Sequence, residues 1–223
     1  MSRAFCIPGI VILFIALVLS FLTSISLPFL PALDITRAHV GTKGSVQDGA
    51  AGITEIRLGV WAPCYYDTNG ARTCLKTGHG YSFQVSNQDK TKTVTVGSSW
   101  TRGLAVHPVA TAVTALALAF SFSTHITVTL IASLLSFLAA LITLIAFAID
   151  IALFAFLKHQ LNNLEIGAKT LTGPGFWLTF VTFILLLIAG CTVCFGRRRD
   201  RLSGATTSYS TSKRPFWSRF RRN

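Results

Sequence analysis

The chain has 223 residues, 20 Lys+Arg against 8 Asp+Glu, and a formal net charge of +12. Charged residues make up only 13% of it, against ~25% in soluble domains, while 51% are hydrophobic; this excludes both an ordinary soluble domain and a disordered chain. Nor does the basic excess indicate nucleic acid, because the charges avoid long apolar blocks and gather at their ends. The composition is that of an integral membrane protein.

Charge-free runs place the spans. Residues 4–33 are 30 uncharged positions between Arg3 and Asp34, 103–149 are 47 between Arg102 and Asp150, and 170–196 are 27 between Lys169 and Arg197. A helix crosses the hydrocarbon in about 20 residues. The first and last runs therefore hold one span each, and the middle run holds two. They fold as a hairpin at Ser121-Phe122-Ser123-Thr124-His125, where the Ala/Leu pattern stops and restarts. This predicts four helices near 7–30, 104–122, 126–157 and 174–196. The parts are an N-terminus and first span (1–33), a first loop (34–103), a helical hairpin (104–157), a second loop (158–173), a fourth span (174–196) and a tail (197–223).

The first span also admits a signal-peptide reading, since Arg3 precedes the apolar stretch and Ser24-Ile25-Ser26 is a passable cleavage site. Its apolar stretch runs on through Pro28-Phe29-Leu30, longer than the usual apolar region of a signal peptide, which favours a retained helix. Four spans put both termini on one side. The tail carries nine basic residues and one acid, Asp200, whereas the second loop carries only Lys158 and Lys169. The first loop is too long for its charges to weigh, so the expected orientation has both termini cytoplasmic.

The first loop is the one substantial soluble segment. Its stretch 41–52 is rich in Gly, Ala and Ser and predicts a flexible connection. Alternation then begins: Ile56, Leu58 and Val60, next Tyr81, Phe83 and Val85, then Val94 and Val96 give three short strands. Such a sheet cannot stand alone and is expected to rest on the outer helix ends. Cys64 and Cys74 share this loop, where oxidising conditions let a disulfide persist; two free thiols are the alternative. Cys6, Cys191 and Cys194 sit at the cytoplasmic span ends as palmitoylation candidates, or as small packing residues.

Catalytic patterns are missing from the sequence. The histidines His39, His79, His107, His125 and His159 are scattered without metal-ligand spacing, so neither a metal nor another cofactor is expected. Gly41-Thr42-Lys43-Gly44-Ser45 lacks the full glycine spacing of a phosphate loop, and there is no serine nucleophile elbow. A transporter is disfavoured because spans one, two and four carry no ionisable group near midplane. Ala132, Ser136 and Ala140 form a small-residue stripe suited to helix packing within the chain.

Gly59-Val60-Trp61-Ala62-Pro63-Cys64, the second cysteine Cys74 and Gly80-Tyr81-Ser82-Phe83 resemble the claudin-like Gly-x-Trp-x-x-Cys…Cys arrangement. More specifically, the chain resembles the fungal PalI family of pH-response regulators and its eisosome-type tetraspan relatives. Pro8-Gly9, Ser24-Ile25-Ser26-Leu27-Pro28, His107-Pro108, Ala146-Phe147-Ala148-Ile149-Asp150 and Gly175-Phe176-Trp177-Leu178 carry the likeness, over roughly residues 5–196. The resemblance implies a claudin-like fold, a four-helix membrane bundle with a small extracellular antiparallel sheet. It also implies a plasma-membrane role in alkaline-pH signalling, in which the tetraspan helps a seven-span sensor reach or remain at the membrane. The alternatives it leaves are an eisosome-type organiser of membrane domains and cell wall, or claudin-like adhesion.

Two further features single out residues. Arg197, Arg198, Arg199 and Arg201 follow the fourth span, and Arg219, Arg221 and Arg222 end the chain beside Phe216, Trp217 and Phe220, a pattern suited to anionic inner-leaflet lipids. Ser/Thr-rich 203–212 offers phosphorylation sites that would weaken that attraction. Asp150, the only acid within the predicted spans, lies 24 residues beyond Ile126, about 36 Å along a helix, and so near the outer interface. His107 opens the second span at the same face. The simpler role is a hydrated carboxylate or a packing hydrogen bond. The sharper expectation is an Asp150–His107 pair whose ionic character follows external pH, because imidazole titrates near neutrality.

Overall fold

Apolar length builds one half of the molecule and strand pairing the other. The computed structural model describes residues 6–46, 51–75, 77–87, 89–123 and 125–210; at 6, 42–44, 46, 51, 126 and 193–210 only the backbone is described. Among them are four stretches long and apolar enough to cross a membrane: Ile7–Ser24, Ser98–Ser121, Thr127–Asn163 and Pro174–Thr192. The protein is therefore a multi-pass membrane protein.

Helix α1 covers Cys6–Ser24. The short helix α2 (Ser98–Thr101) and a 3-10 turn (Arg102–Ala105) lead into α3 (Val106–Ser121). Helix α4 covers Ile126–Asn163 and α5 covers Pro174–Ser210. Each long helix packs on two neighbours, closing a ring in the order α1, α3, α4, α5. Small side chains allow the close approach that helix association in lipid requires. Leu13 packs with Ala117 and Ala189, and Ala16 with Ala139, Ala140 and Leu186. Ala132, Ser136 and Ala140 are all buried, so the small-residue stripe of the third span serves packing inside the chain. Hydroxyls in the bundle mostly satisfy their own backbone; Thr114, Ser136, Thr143, Thr179 and Thr182 each donate to the carbonyl four residues earlier.

Seven strands form one antiparallel sheet: β1 (Thr36–Val46), β2 (Ala51–Leu58), β3 (Pro63–Asp67), β4 (Arg72–Cys74), β5 (Phe83–Asn87), β6 (Thr93–Val96) and β7 (Lys169–Thr172). The path runs β4-β3-β2-β1-β5-β6. β1 is its centre. One edge pairs with β2, while the other is shared, Thr36–His39 lying against β7 and Gly44–Val46 against β5.

This corrects the expectation of a flexible connection over 41–52: its described residues 41–46 and 51–52 belong to β1 and β2. Glycine-rich sequence carries no alternation, and β1 is held by pairing on either side of an irregularity between His39 and Gly44, where Gly41 takes a positive φ of 61°. The second loop is likewise more than a connection, because its β7 completes the sheet begun by the first.

The sheet rests on the far end of α4. That helix has 38 residues, about 57 Å at 1.5 Å per residue, nearly twice a ~30 Å hydrocarbon core. It therefore runs on beyond 157 to Asn163. Leu153, Leu157, Leu161 and Leu164 repeat at helical spacing and are buried against Ile35, Ala38, Ile56, Leu58, Phe83 and Val85 of the sheet. Trp100 stacks on Phe156 beside this core, with ring centroids 4.1 Å apart. At its other end the first span stops as a helix at Ser24, not 30, and continues as turns through Leu30. Helix α5 passes residue 196 without a break in its backbone.

Candidate functional site

The loop motif docks the sheet onto the end of α1. Gly59-Val60-Trp61 turns out of β2 and lies on residues 24–27. Val60 N–H donates to Ser26 Oγ (2.9 Å), Trp61 N–H to Leu27 O (3.4 Å) and Trp61 Nε1–H to Ser24 O (2.6 Å). Gly59 is required by that closeness, since a Cβ there would overlap Leu27 Cβ and lie 2.8 Å from Leu27 N. Tyr81 secures the same turn from the other side. Its hydroxyl donates to Gly59 O (2.8 Å), and its own carbonyl accepts from Thr101 Oγ1 (2.6 Å), tying the turn to α2. Gly80 lies against the Arg102 side chain. Cys64 and Cys74 face each other across β3 and β4 and form a disulfide.

Directly beneath this dock lies the one acidic residue of the spans. Asp150 is fully buried and His107 is 3% exposed, with Asp150 Oδ1 and His107 Nε2 3.1 Å apart. Asp150 Oδ2 is buried and has no hydrogen-bond partner among the described residues. On the other side of the histidine, Thr111 Oγ1 lies within hydrogen-bond distance of His107 O (3.0 Å), Ser20 O (3.0 Å) and Ser20 Oγ (2.7 Å). A polar chain thus joins α4, α3 and α1. Tyr81 belongs to the same neighbourhood: burial first, and then the charge of Asp150, pushes its phenol well above the ordinary tyrosine value. No group of three or more His, Cys, Asp or Glu able to hold a metal occurs among the described residues.

The helix arithmetic thus brought His107 and Asp150 to one face, and the structure brings them to hydrogen-bond distance. Other contacts went unread. Asp34 is fully buried and takes a two-pronged interaction from Arg37 (2.8 and 3.1 Å), whose guanidinium is pushed above its usual value chiefly by that hydrogen bond. Gly173 N–H and Gly175 N–H donate to Ile35 O and Asp34 O, both 2.9 Å, so the start of α5 is stitched to the start of β1. The only sequence signal for this corner was Asp34 as the first charge after a long apolar run.

Cys191 is free and exposed. The side chains of Cys6, Cys194, Arg197, Arg198, Arg199 and Arg201 lie outside the described residues, as do Arg219, Arg221 and Arg222 entirely.

A search of curated proteins finds no match. A family model described as the SUR7/PalI family matches residues 5–189, which takes in the first three spans, most of the fourth, the docked motif, both cysteines of the disulfide and the His107–Asp150 pair. The chain belongs to the SUR7/PalI family.

Proposed function

We propose that this tetraspan acts without catalysis in the plasma membrane, with both termini cytoplasmic and the sheet outside. There it assists or localises a multi-span sensor in ambient-pH signalling. The observation that carries the reading is the buried His107–Asp150 pair at the junction of bundle and sheet. An ionisable pair fully buried at the interfacial end of the bundle is costly to desolvate and marks a candidate functional site. While the pair holds a proton, it is either an ion pair or a neutral couple. Loss of that proton leaves Asp150 a buried carboxylate beside a neutral imidazole, with its other oxygen unpartnered among the described residues. The strain falls on the contacts above it, which join α1, the Gly59–Tyr81 turn and α2.

Few other groups interfere. The titratable group facing the pair from the loop is Tyr81. The neighbouring α1 and the described side chains of α5 bring no ionisable residue except cysteine, and Arg102 on the 3-10 turn is exposed. The basic tail fits the same location, since Arg and Lys beside the last span suit an anionic inner leaflet.

Deleting the gene and comparing growth in alkali with the morphology of plasma-membrane domains tests the proposal. An alkaline defect with intact domains supports it. Intact alkaline growth with disrupted domains favours an eisosome-type organiser, to which the same family affiliation extends.

A further inference from the structure

Just beyond α1, two arginines converge on one short segment. The span Ile7–Ser24 has 18 residues, about 27 Å of helix, so Ser24 stands at the sheet-side edge of the hydrocarbon. The turns that follow lie at head-group depth. There Arg57 Nη1 donates to Pro31 O (3.2 Å) and Arg72 Nη1 to Pro28 O (3.4 Å). Between those carbonyls stands Phe29, 71% exposed and uncovered by protein. Aromatic rings are favoured at this depth.

The two cations are not equivalent. Arg57 is forked onto Glu55 (2.8 and 3.3 Å) and lies over the Tyr66 ring, 4.5 Å from its centroid. Arg37 is held by Asp34 and Glu55. Arg72, exposed on β4 opposite Tyr66, has no carboxylate within ion-pair distance among the described residues. One N–H of its guanidinium is engaged with Pro28, leaving an open edge whose paired donors match a phosphate. Arg37 and Arg57 are paired with Asp34 and Glu55, and the nearby Asp67 carboxylate is turned into its own loop onto Asn69 N–H and Ala71 N–H, so Arg72 is left free to meet an anionic head group.

We infer that Arg72, flanked by Arg57 and seated beside Phe29, binds the phosphate of a phospholipid in the sheet-side leaflet, the outer leaflet in the orientation proposed above. A free phosphate would engage Arg72 but gain nothing from Phe29, whereas a lipid engages both. The inference needs the span boundaries and not the signalling role, so the two fail separately.

Native mass spectrometry of the full chain, released from micelles doped with phosphatidylglycerol, tests it. The tail is present in every variant, so its bound lipid cancels in the comparison. Non-reducing mapping of the Cys64–Cys74 link confirms that each variant is folded. Arg72→Gln should lower retained lipid about fivefold, as expected for one basic residue at an anionic surface, with Arg72→Lys in between. Phe29→Ser should also lower it, and inorganic phosphate alone should not displace the lipid. Equal retention by linked Arg72→Gln overturns the site. Displacement by inorganic phosphate, together with normal retention by Phe29→Ser, overturns the lipid as its occupant.

Discussion

Gly59→Ala probes the joint between bundle and sheet more sharply than any truncation. The added methyl would overlap Leu27 Cβ and stand 2.8 Å from Leu27 N, so part of the obstacle is backbone that cannot swing aside. The protein has two responses. If the turn stays docked, overpacking costs about 1–3 kcal/mol. If it lifts away, the bonds from Val60 N–H, Trp61 N–H and Trp61 Nε1–H to residues 24–27 are lost, about 1 kcal/mol each. The cheaper route governs, and either way the docked state loses about 1–3 kcal/mol relative to local opening. That is about five- to 150-fold faster amide exchange at Val60 and Trp61, readable by hydrogen–deuterium exchange in detergent. Gly78→Ala is the control, because a Cβ at Gly78 meets nothing within 4 Å. Unchanged protection at Val60 and Trp61 in Gly59→Ala would refute the docking argument.

Three further outcomes follow from the same contacts. Cys74→Ser opens a ring with a sequence separation of 10, worth roughly 2–3 kcal/mol on chain-entropy grounds, and should lower the thermal midpoint; an unchanged midpoint would show that the strands hold without the link. Gly173→Ala drives a Cβ into Asp34 O and should free β7 from β1 at about 1–3 kcal/mol, seen as faster exchange at Gly175 and tryptic cleavage at Lys169. Tyr81 should stay protonated in the folded protein at about pH 11, above its ordinary value of about 10. Its folded value is the higher one, so its contribution is complete below the ordinary value and declines as pH rises past it. Tyr81→Phe should then leave tyrosinate absorbance in the folded protein unchanged, and a drop in absorbance would contradict its burial.

The spans were legible because charge exclusion over 20 or more residues has few other causes, and β2, β5 and β6 because Ile56, Leu58, Phe83, Val85, Val94 and Val96 alternate. β1 was not legible. Its glycines, Lys43 and Ser45 have no periodicity, and its extension is imposed by three partner strands. β3 and β4 flank a polar turn, Asp67-Thr68-Asn69-Gly70, and are too short to show a period. The end of α4 was hidden by Lys158 and His159, which mark a loop in a charge count yet sit on the exposed side of a continuing leucine stripe. The His107–Asp150 pair was legible because a rigid helix converts sequence separation into depth. The contacts of Ser26, Thr101 and Thr111 were not, since a hydroxyl carries no sequence signal of its partner.

The pH response of His107→Gln tests the central claim most directly. Glutamine keeps an amide that can donate to Asp150 Oδ1, at present 3.1 Å from His107 Nε2, but it does not titrate. The measurement is the external pH at which the pathway responds, with surface abundance of the protein recorded alongside. The account predicts a shifted midpoint at normal abundance. An unchanged midpoint at normal abundance would contradict it and leave His107 and Asp150 as packing residues.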